Sequence, residues 1–359
     1  MHKFSAKLLC LVMALVMLGT ALTGCTGGKG GTGGSSRTVV DMTGNTITLP
    51  EKVEKVHVDW ASGITLAMTL GATDKLVAAP TAFEGDTFAW AREICPAINN
   101  VKKDQDAFTN LESALNYEPD LVITSTKDNI ETYQNLGLPV VYVNFNSNET
   151  FKESLKIVGK ALGEAEYAAA ERYAAYFDAN VAMVSQRLSK LTDADKQTVY
   201  YMDSRFGDCY HTVGKGEIQE EWISCAGGIL ATAAILEGRN LEINSEKMLD
   251  VDPDIVIIGA QNQADVYDHL MVDPVLAGMS AVKNGTVYRA PQGIFPWCRN
   301  GPEAAIQMVW AAKLLHPAEF ADVDIKAVAK DFYKTFYGND VSDAVIDGIL
   351  AGKLCPTGK

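Results

Sequence analysis

The sequence predicts an α/β protein made of two doubly wound, Rossmann-like lobes joined by one long α-helix. One observation is an internal repeat, because a helix, a Pro-Asp pair and a short apolar strand occur twice, 134 residues apart. Another is the alternation of strand-like and helical segments, which is typical of parallel sheets covered on both faces. The repeated pairs are Glu112/Glu246, Leu115/Leu249, Pro119/Pro253, Asp120/Asp254, Val122/Val256 and Ile123/Ile257.

Short apolar runs in each half of the chain indicate buried strands. In the first half, we predict strands at 55–59, 76–79, 121–124 and 140–144, with a helix at 63–70. In the second half, we predict strands at 198–202, 255–259 and 286–290, with helices at 218–225, 244–249 and 302–315.

The segment 164–191 lies between these halves and contains neither Pro nor Gly. At 1.5 Å per residue, a helix here would be on the order of 40 Å long. A single helix is a stiff connection, so we expect the two lobes to close only slightly around a ligand. Its apolar positions recur at helical spacing: Ala168, Tyr173, Tyr176, Phe177, Val181, Val184 and Leu188.

The first 36 residues have the pattern of an export signal followed by a tether. Lys3 and Lys7 precede an apolar run at 8–18, which is shorter than the roughly 20 residues that span a bilayer. The sequence Leu-Thr-Gly-Cys ending at Cys25 resembles the lipobox of bacterial lipoproteins, although a plain signal peptide with an incidental cysteine remains the alternative. We therefore predict a signal peptide at 1–24, a lipidated Cys25 with a flexible Gly/Ser tether at 25–37, and attachment to the outer face of a bacterial membrane.

The remaining chain is predicted to divide into an N-terminal lobe at 38–162, a linking helix at 163–192 and a C-terminal lobe at 193–359. Without residues 1–24 its net charge changes from −14 to −16, because Lys3 and Lys7 are lost. This charge, with no basic run to offset it, argues against nucleic acid as a partner. A disulfide between Cys209 and Cys225 would suit an exported protein, but five mature-chain cysteines beyond Cys25 leave at least one thiol unpaired within the chain.

These segments together resemble the substrate-binding lipoproteins of ATP-driven importers of iron-siderophores, haem and cobalamin. The resemblance covers about residues 38–336, and its pieces fall in order around the linking helix: VVDMTGNTITLPEKVEKV, NLESALNYEPDLVI, INSEKMLDVDPDIVII and WCRNGPEAAIQMVWAAKLLHPAEF. It implies the class III periplasmic-binding-protein fold, a monomer, and a ligand held between the lobes. It also implies that one acidic residue on each lobe docks with arginines of the membrane permease.

Glu112 and Glu246 match those acidic positions. A charged pair at an interface sets register and encounter rate more than affinity. The alternative is structural, since a carboxylate at the start of a helix favours the positive end of the helix dipole.

We expect the ligand beyond the carboxyl ends of the strands, where open α/β sheets bind their ligands. Aromatic side chains would bury the body of a chelate and arginines would pair with acidic oxygens, although Trp60 and Trp90 could equally pack within their loops. With few histidines and none at i, i+4 spacing, direct metal ligation and an intrinsic cofactor are not expected. The candidate ligand-binding residues are Trp60, Ser62, Phe83, Trp90, Arg205, Tyr210, His211, Trp297 and Arg299.

The cargo predicted from this set is an iron(III)-siderophore or a similar metal chelate. Few basic residues fall in the predicted loops, which favours a weakly charged chelate or a corrinoid, and cobalamin or haem is the alternative. An exported, lipid-anchored enzyme is less favoured because no G-x-S-x-G, H-E-x-x-H or P-loop pattern occurs in the folded part. A purely structural surface protein would have no saturable small-molecule ligand.

Overall fold

A computed structural model describes residues 37–355. The first lobe begins with an antiparallel hairpin and continues into a three-stranded parallel sheet of order β3-β4-β5. All residues of β3, β4 and β5 are buried, as expected for a parallel sheet between helices. The elements are β1 (Arg37–Val40), β2 (Thr46–Leu49), β3 (Val56–Val58), α1 (Ala61–Thr69), α2 (Ala89–Ile94), α3 (Asp106–Thr109), β4 (Leu121–Thr124), α4 (Lys127–Asn135), β5 (Val140–Tyr142) and α5 (Asn148–Leu162).

The second lobe contains a four-stranded parallel sheet of order β11-β10-β6-β8 and a small antiparallel pair, β7 with β9. Parallel pairing with helical connections confirms the predicted α/β class. The elements are β6 (Thr198–Asp203), β7 (His211–Thr212), α7 (Ile218–Cys225), β8 (Ile229–Leu230), β9 (Leu241–Glu242), α8 (Ser245–Val251), β10 (Ile255–Gly259), α9 (Gln263–Val272), α10 (Ser280–Asn284), β11 (Val287–Arg289) and α11 (Ala304–Leu315).

The sequence repeat corresponds to a repeated structural unit. Asn110 and Asn244, also 134 residues apart, each accept a backbone hydrogen bond at the start of a helical turn, from Glu112 and Lys247 respectively. The aspartates of the two Pro-Asp pairs also act alike: Asp120 accepts from the backbone N–H of Lys55, and Asp254 from that of Thr198. Each aspartate therefore ties the start of its own strand to the neighbouring strand of the sheet.

One helix, α6 (Glu164–Arg187), joins the two lobes over 24 residues, or about 36 Å. The C-terminal helices α12 (Ile325–Tyr337) and α13 (Asp343–Leu350) then return to the first lobe. Asn339 donates to the carbonyl of Glu93 at 2.8 Å, and the indole N–H of Trp90 donates to the carbonyl of Lys353 at 2.7 Å. The segment after α11 thus adds a second connection between the lobes.

Two details of the sheets differ from the sequence-based expectation. Residues 76–79 do not form a strand; they make only isolated bridges, from Leu76 to Val56 and from Ala79 to Lys103. The short strands β7, β8 and β9 were not predicted, because two-residue strands carry no detectable alternation.

The predicted signal peptide, Cys25 and the tether up to residue 36 lie outside the described residues. Within residues 37–355, no helix is long and apolar enough to cross a membrane.

Candidate functional site

A cavity of about 310 Å³ lies between the two lobes at the carboxyl ends of their strands. The first lobe contributes Ser62 at the start of α1 and the turn that follows β5. The second lobe contributes the end of β6, the start of α7 and the loop between β11 and α11. The lining residues are Ser62, Asn144, Phe145, Asn146, Tyr201, Asp203, Arg205, Val213, Glu217, Ile218, Gln219, Arg239, Phe295, Arg299 and Asn300.

Two of the three arginines in the cavity are paired with carboxylates. Asp203, at the end of β6, is 2% exposed and accepts from Nε of Arg205 at 2.9 Å. This ion pair raises the pKa of Arg205, whose guanidinium also donates to Asn240. Arg239 lies 3.5 Å from Glu217. The opposite charges of Asp203 and Arg205 cancel, so this pair stabilises the wall of the cavity and adds no net charge to it.

Arg299 is the third arginine, and among the described residues it forms no ion pair. Its guanidinium lies over the ring of Phe295, 5.4 Å from the centroid. The next residue, Asn300, donates from Nδ2 to the carbonyl of Phe145 at 3.3 Å, which links the two lobes across the cavity. Arg299 is therefore the cation of this cavity with the greatest capacity to bind an anionic group.

Three of the predicted ligand-binding residues line the cavity: Ser62, Arg205 and Arg299. The other six are not among the residues that line it. The Trp60 ring packs over Gly63, where a Cβ atom would lie 2.4 Å from the ring. Trp60 therefore packs on the start of its own helix, with its ring 6.2 Å from that of Phe145, a residue that lines the cavity.

Phe83, Trp90 and Trp297 are buried packing residues. Phe83 is fully buried and stacks on Phe88 at 4.1 Å. Trp90 packs against Gly348 of α13, and Trp297 is 1% exposed, with its indole N–H 3.3 Å from the hydroxyl of Tyr333. Burying such large rings stabilises the fold more than exposing them in a cleft does. An aromatic residue in a predicted loop can therefore be either a packing residue or a ligand contact, and the sequence does not distinguish the two.

Tyr210 and His211 lie near the second lobe's β7–β9 pair rather than in the cavity. The Tyr210 hydroxyl is 3.5 Å from a carboxylate oxygen of Asp273. His211 has Nδ1 2.8 Å from a carboxylate oxygen of Asp208, and its ring stacks on Phe206 at 3.9 Å. These contacts turn both side chains toward their own lobe.

Most of the polar residues that line the cavity were not predicted from the sequence. Asn144 and Asn146 follow β5, and Tyr201 and Asp203 end β6, so the rule about carboxyl ends of strands could have identified all four. Gln219, Glu217 and Arg239 come from a helix start and from the connection before β9, and no local pattern marks them.

The two predicted docking glutamates, Glu112 and Glu246, are exposed at the starts of equivalent helical turns. Neither has an ion-pair partner among the described residues. The cysteines do not form the disulfide considered from sequence: Cys209 donates to the carbonyl of Val266, and Cys225 lies 3.7 Å from the sulfur of Met308. Within residues 37–355, no group of three or more His, Cys, Asp or Glu side chains is arranged to hold a metal ion.

Residues 56–293 match the protein family described as periplasmic binding protein. The chain is 24% identical over 328 residues to the molybdate-binding protein MolA of Haemophilus influenzae, covering 84% of this chain and 91% of MolA. It is 21% identical to YvrC, an uncharacterized ABC transporter substrate-binding lipoprotein of Bacillus subtilis, over 79% of this chain and 87% of YvrC. The crystal structure of a periplasmic solute binding protein from Veillonella parvula matches with a TM-score of 0.78 and 23% identity, over 88% of this chain and 97% of that chain.

The chain belongs to the periplasmic binding protein family, since that match spans well over half of its length. The predicted class III fold is confirmed, and the protein is a solute-binding protein of an ABC importer rather than an enzyme.

Proposed function

We propose that this member of the periplasmic binding protein family captures a compact, anionic metal chelate of the iron(III)-siderophore class and delivers it to an importer permease. The observation that carries the proposal is the charge of the cavity between the lobes. Three arginines face two carboxylates there, and Arg299 has no ion-pair partner among the described residues. Carboxylate or hydroxamate oxygens of a chelate would pair with this guanidinium.

The size of the cavity supports a compact cargo. About 310 Å³ is at the lower end of the roughly 300–1,000 Å³ usual for ligand pockets. Only Phe145, Tyr201 and Phe295 supply aromatic rings to the lining, which is a small area for stacking against a flat macrocycle. Both features disfavour haem and cobalamin, which present large, flat apolar surfaces.

A small oxyanion is the second candidate. The likeness to the molybdate-binding protein MolA favours it, as does the unpaired Arg299. An oxyanion and an anionic chelate use the same cation, but only the chelate brings iron with it. Analysis of the bound metal therefore distinguishes them.

Calorimetric titration at pH 7 of the mature protein, stripped of bound solute, tests the proposal. The probes are ferric citrate, ferrioxamine B, sodium molybdate, haemin and cyanocobalamin. We expect saturable binding of ferric citrate, and at least tenfold weaker binding by Arg299→Ala, which corresponds to about 1.4 kcal/mol. Arg172→Ala removes the same charge from an exposed position on α6 and should leave affinity unchanged.

Two outcomes would change this assignment. Tight molybdate binding without ferric citrate binding would favour the oxyanion. Haemin or cyanocobalamin binding that is insensitive to Arg299→Ala would overturn the charge argument altogether.

We also propose that Glu112 and Glu246 dock with basic residues of the permease. Their equivalent, exposed positions on the two lobes support this role, because a partner could engage both in one orientation. Replacing both with Arg should abolish uptake of radiolabelled iron(III) chelate by cells while calorimetric affinity stays within twofold. The control is Glu153→Arg, at an exposed position on α5. Undiminished uptake by the double variant would remove the docking role.

The proposed membrane anchor is a lipid on Cys25. The lipobox-like sequence supports it, and YvrC is named as a lipoprotein. Cys25→Ser should move the protein from the membrane fraction to the soluble fraction, and the mass of the mature chain should fall by that of the acyl groups. If the wild-type chain begins elsewhere than at Cys25 and carries no lipid, the plain signal peptide is the correct interpretation.

A further inference from the structure

The loop between β11 and α11 carries three residues of the cavity, Phe295, Arg299 and Asn300, and rests on a buried carboxyl group. That group belongs to Glu303, which is 1% exposed. Its Oε1 accepts from the backbone N–H of Ile294 at 2.5 Å and from the hydroxyl of Tyr333 at 3.2 Å. Its Oε2 is buried without a hydrogen-bond partner. One oxygen therefore fixes the loop, and the other has no donor to stabilise a negative charge.

Glu303 is joined to the rest of the protein through tyrosine side chains. The indole N–H of Trp297, in the same loop, donates to the Tyr333 hydroxyl that bonds Glu303. From the linking helix, the hydroxyl of Tyr173 donates to the carbonyl of Pro302 at 2.8 Å. Loop, linking helix and α12 thus meet at this carboxyl group.

The surroundings of Glu303 disfavour its ionised form. The ionisable groups that face it are Tyr173 on α6 and Tyr333 and Tyr337 on α12, and burial raises the pKa of all three. Among the described residues, no lysine, arginine or histidine forms an ion pair with it. Burial raises the pKa of Glu303 itself to about 8, with the hydrogen bonds from Ile294 and Tyr333 opposing the shift.

We propose that Glu303 is a positioning residue for ligand binding: the neutral carboxyl group holds the loop that presents Arg299, and ionisation of Glu303 loosens that loop and weakens binding. A charged carboxylate in this place needs water or a cation, and Oε2 is buried with no such partner among the described residues. The change is transmitted through the Ile294 N–H and through Trp297, not by contact with the ligand. The effect on affinity rests on the proposed function, because it assumes that solute binds at Arg299.

The size of the effect follows from the fraction of protein in the neutral form. If only that form binds, about one tenth of the protein is competent at pH 9, and the apparent affinity falls about tenfold between pH 7 and pH 9. Glu303→Gln keeps a neutral amide of the same shape and should bind equally at both values.

A ligand-free experiment tests the positioning role directly. The full mature protein is labelled with 5-fluorotryptophan, the resonance of Trp297 is assigned with Trp297→Phe, and the ¹⁹F shift is followed from pH 6 to pH 9.5. We expect an inflection near pH 8 that disappears in Glu303→Gln and remains in Glu153→Gln. Tyr333→Phe removes a hydrogen bond that lowers the pKa of Glu303, so its inflection should move to higher pH. A purely structural role would not produce that displacement.

The binding part of the experiment uses sodium molybdate and ferric citrate and compares wild type with Glu303→Gln at each pH, so that changes in the probe cancel. A ratio of affinities that grows about tenfold by pH 9 supports the proposal, and a constant ratio overturns it. If neither probe binds at pH 7, the proposed cargo is wrong, while the Trp297 resonance still decides the role of Glu303. An inflection that is absent in wild type, or unchanged in Glu303→Gln, refutes it.

Discussion

His57 provides a pH-dependent test of the packing of the first lobe. It lies on β3, is fully buried, and neither ring nitrogen makes a hydrogen bond. Its ring packs 5.3 Å from that of Phe108 and 6.2 Å from that of Tyr133. Burial lowers its pKa from 6.5 to about 4, and an interaction with the backbone of Ala107 opposes the shift only in part. The imidazole is therefore neutral in the folded protein over most of the acidic range.

The sign of the stability effect follows from proton binding. Between pH 6.5 and pH 4, the unfolded chain binds a proton at His57 that the folded protein excludes, so unfolding becomes more favourable as pH falls. The shift of about 2.5 units corresponds to about 3 kcal/mol of stability, present above pH 6.5 and lost by pH 4. His57→Leu has no such proton and should keep this stability.

Glu303 acts in the opposite direction, which shapes the wild-type profile. It is protonated in the folded protein up to about pH 8 but ionised in an unfolded chain above 4.5, so its contribution is lost as pH rises through this range. The two effects oppose each other between pH 4.5 and 6.5. Above pH 6.5 the contribution of His57 to stability no longer changes, whereas that of Glu303 falls by about 2 kcal/mol up to pH 8.

Guanidinium unfolding of wild type and His57→Leu, at half-unit steps from pH 4 to pH 8, measures the difference. The free energy of unfolding of the variant should gain about 3 kcal/mol relative to wild type as pH falls from 7 to 4. His269→Leu, at an exposed position on α9, is the matched control and should show no such gain. Linkage predicts that the difference in free energy of unfolding between wild type and His57→Leu changes by roughly 3 kcal/mol over this range. A change of less than about 0.5 kcal/mol would refute the reasoning.

Further predictions concern the lobe connection, a helix cap and the thiols. Trp90→Phe loses the hydrogen bond to the Lys353 carbonyl and should lower the free energy of unfolding by about 1 kcal/mol in chemical denaturation. Asn244→Ala removes the cap of α8 and should cost a similar amount, about 1 kcal/mol, whereas Asn244→Asp should cost little. Burial raises the pKa of the thiols of Cys95, Cys209, Cys225 and Cys298. A thiol reagent at pH 8 should therefore modify these four slowly in the native protein and completely in guanidinium. Rapid labelling of the native protein would contradict this.

The sequence predicted the fold better than the site, for a physical reason. Strand-helix alternation and the repeated Pro-Asp unit are local patterns, and Asp120 and Asp254 show that they form the same hydrogen bonds in both lobes. The direction of a side chain in a loop, by contrast, depends on residues that are distant in the sequence. Trp297 and Arg299 are two residues apart, yet the first is buried against Tyr333 and the second lines the cavity, because α12 offers an apolar surface that only the folded chain assembles.

The C-terminal helices also explain why the cavity should be largely preformed. The linking helix alone would permit some rocking of the lobes, but Asn339 and Lys353 bond to the first lobe. The same segment also contacts the second lobe. The carbonyl of Ile349, in α13, accepts from the N–H of Gln292, at the base of the loop that carries Arg299. The same segment therefore contacts both lobes and the loop that carries Arg299. Little conformational freedom is then left to lose on binding, so under the proposed function we expect affinity to depend more on how the loop that carries Arg299 is held than on closure of the lobes.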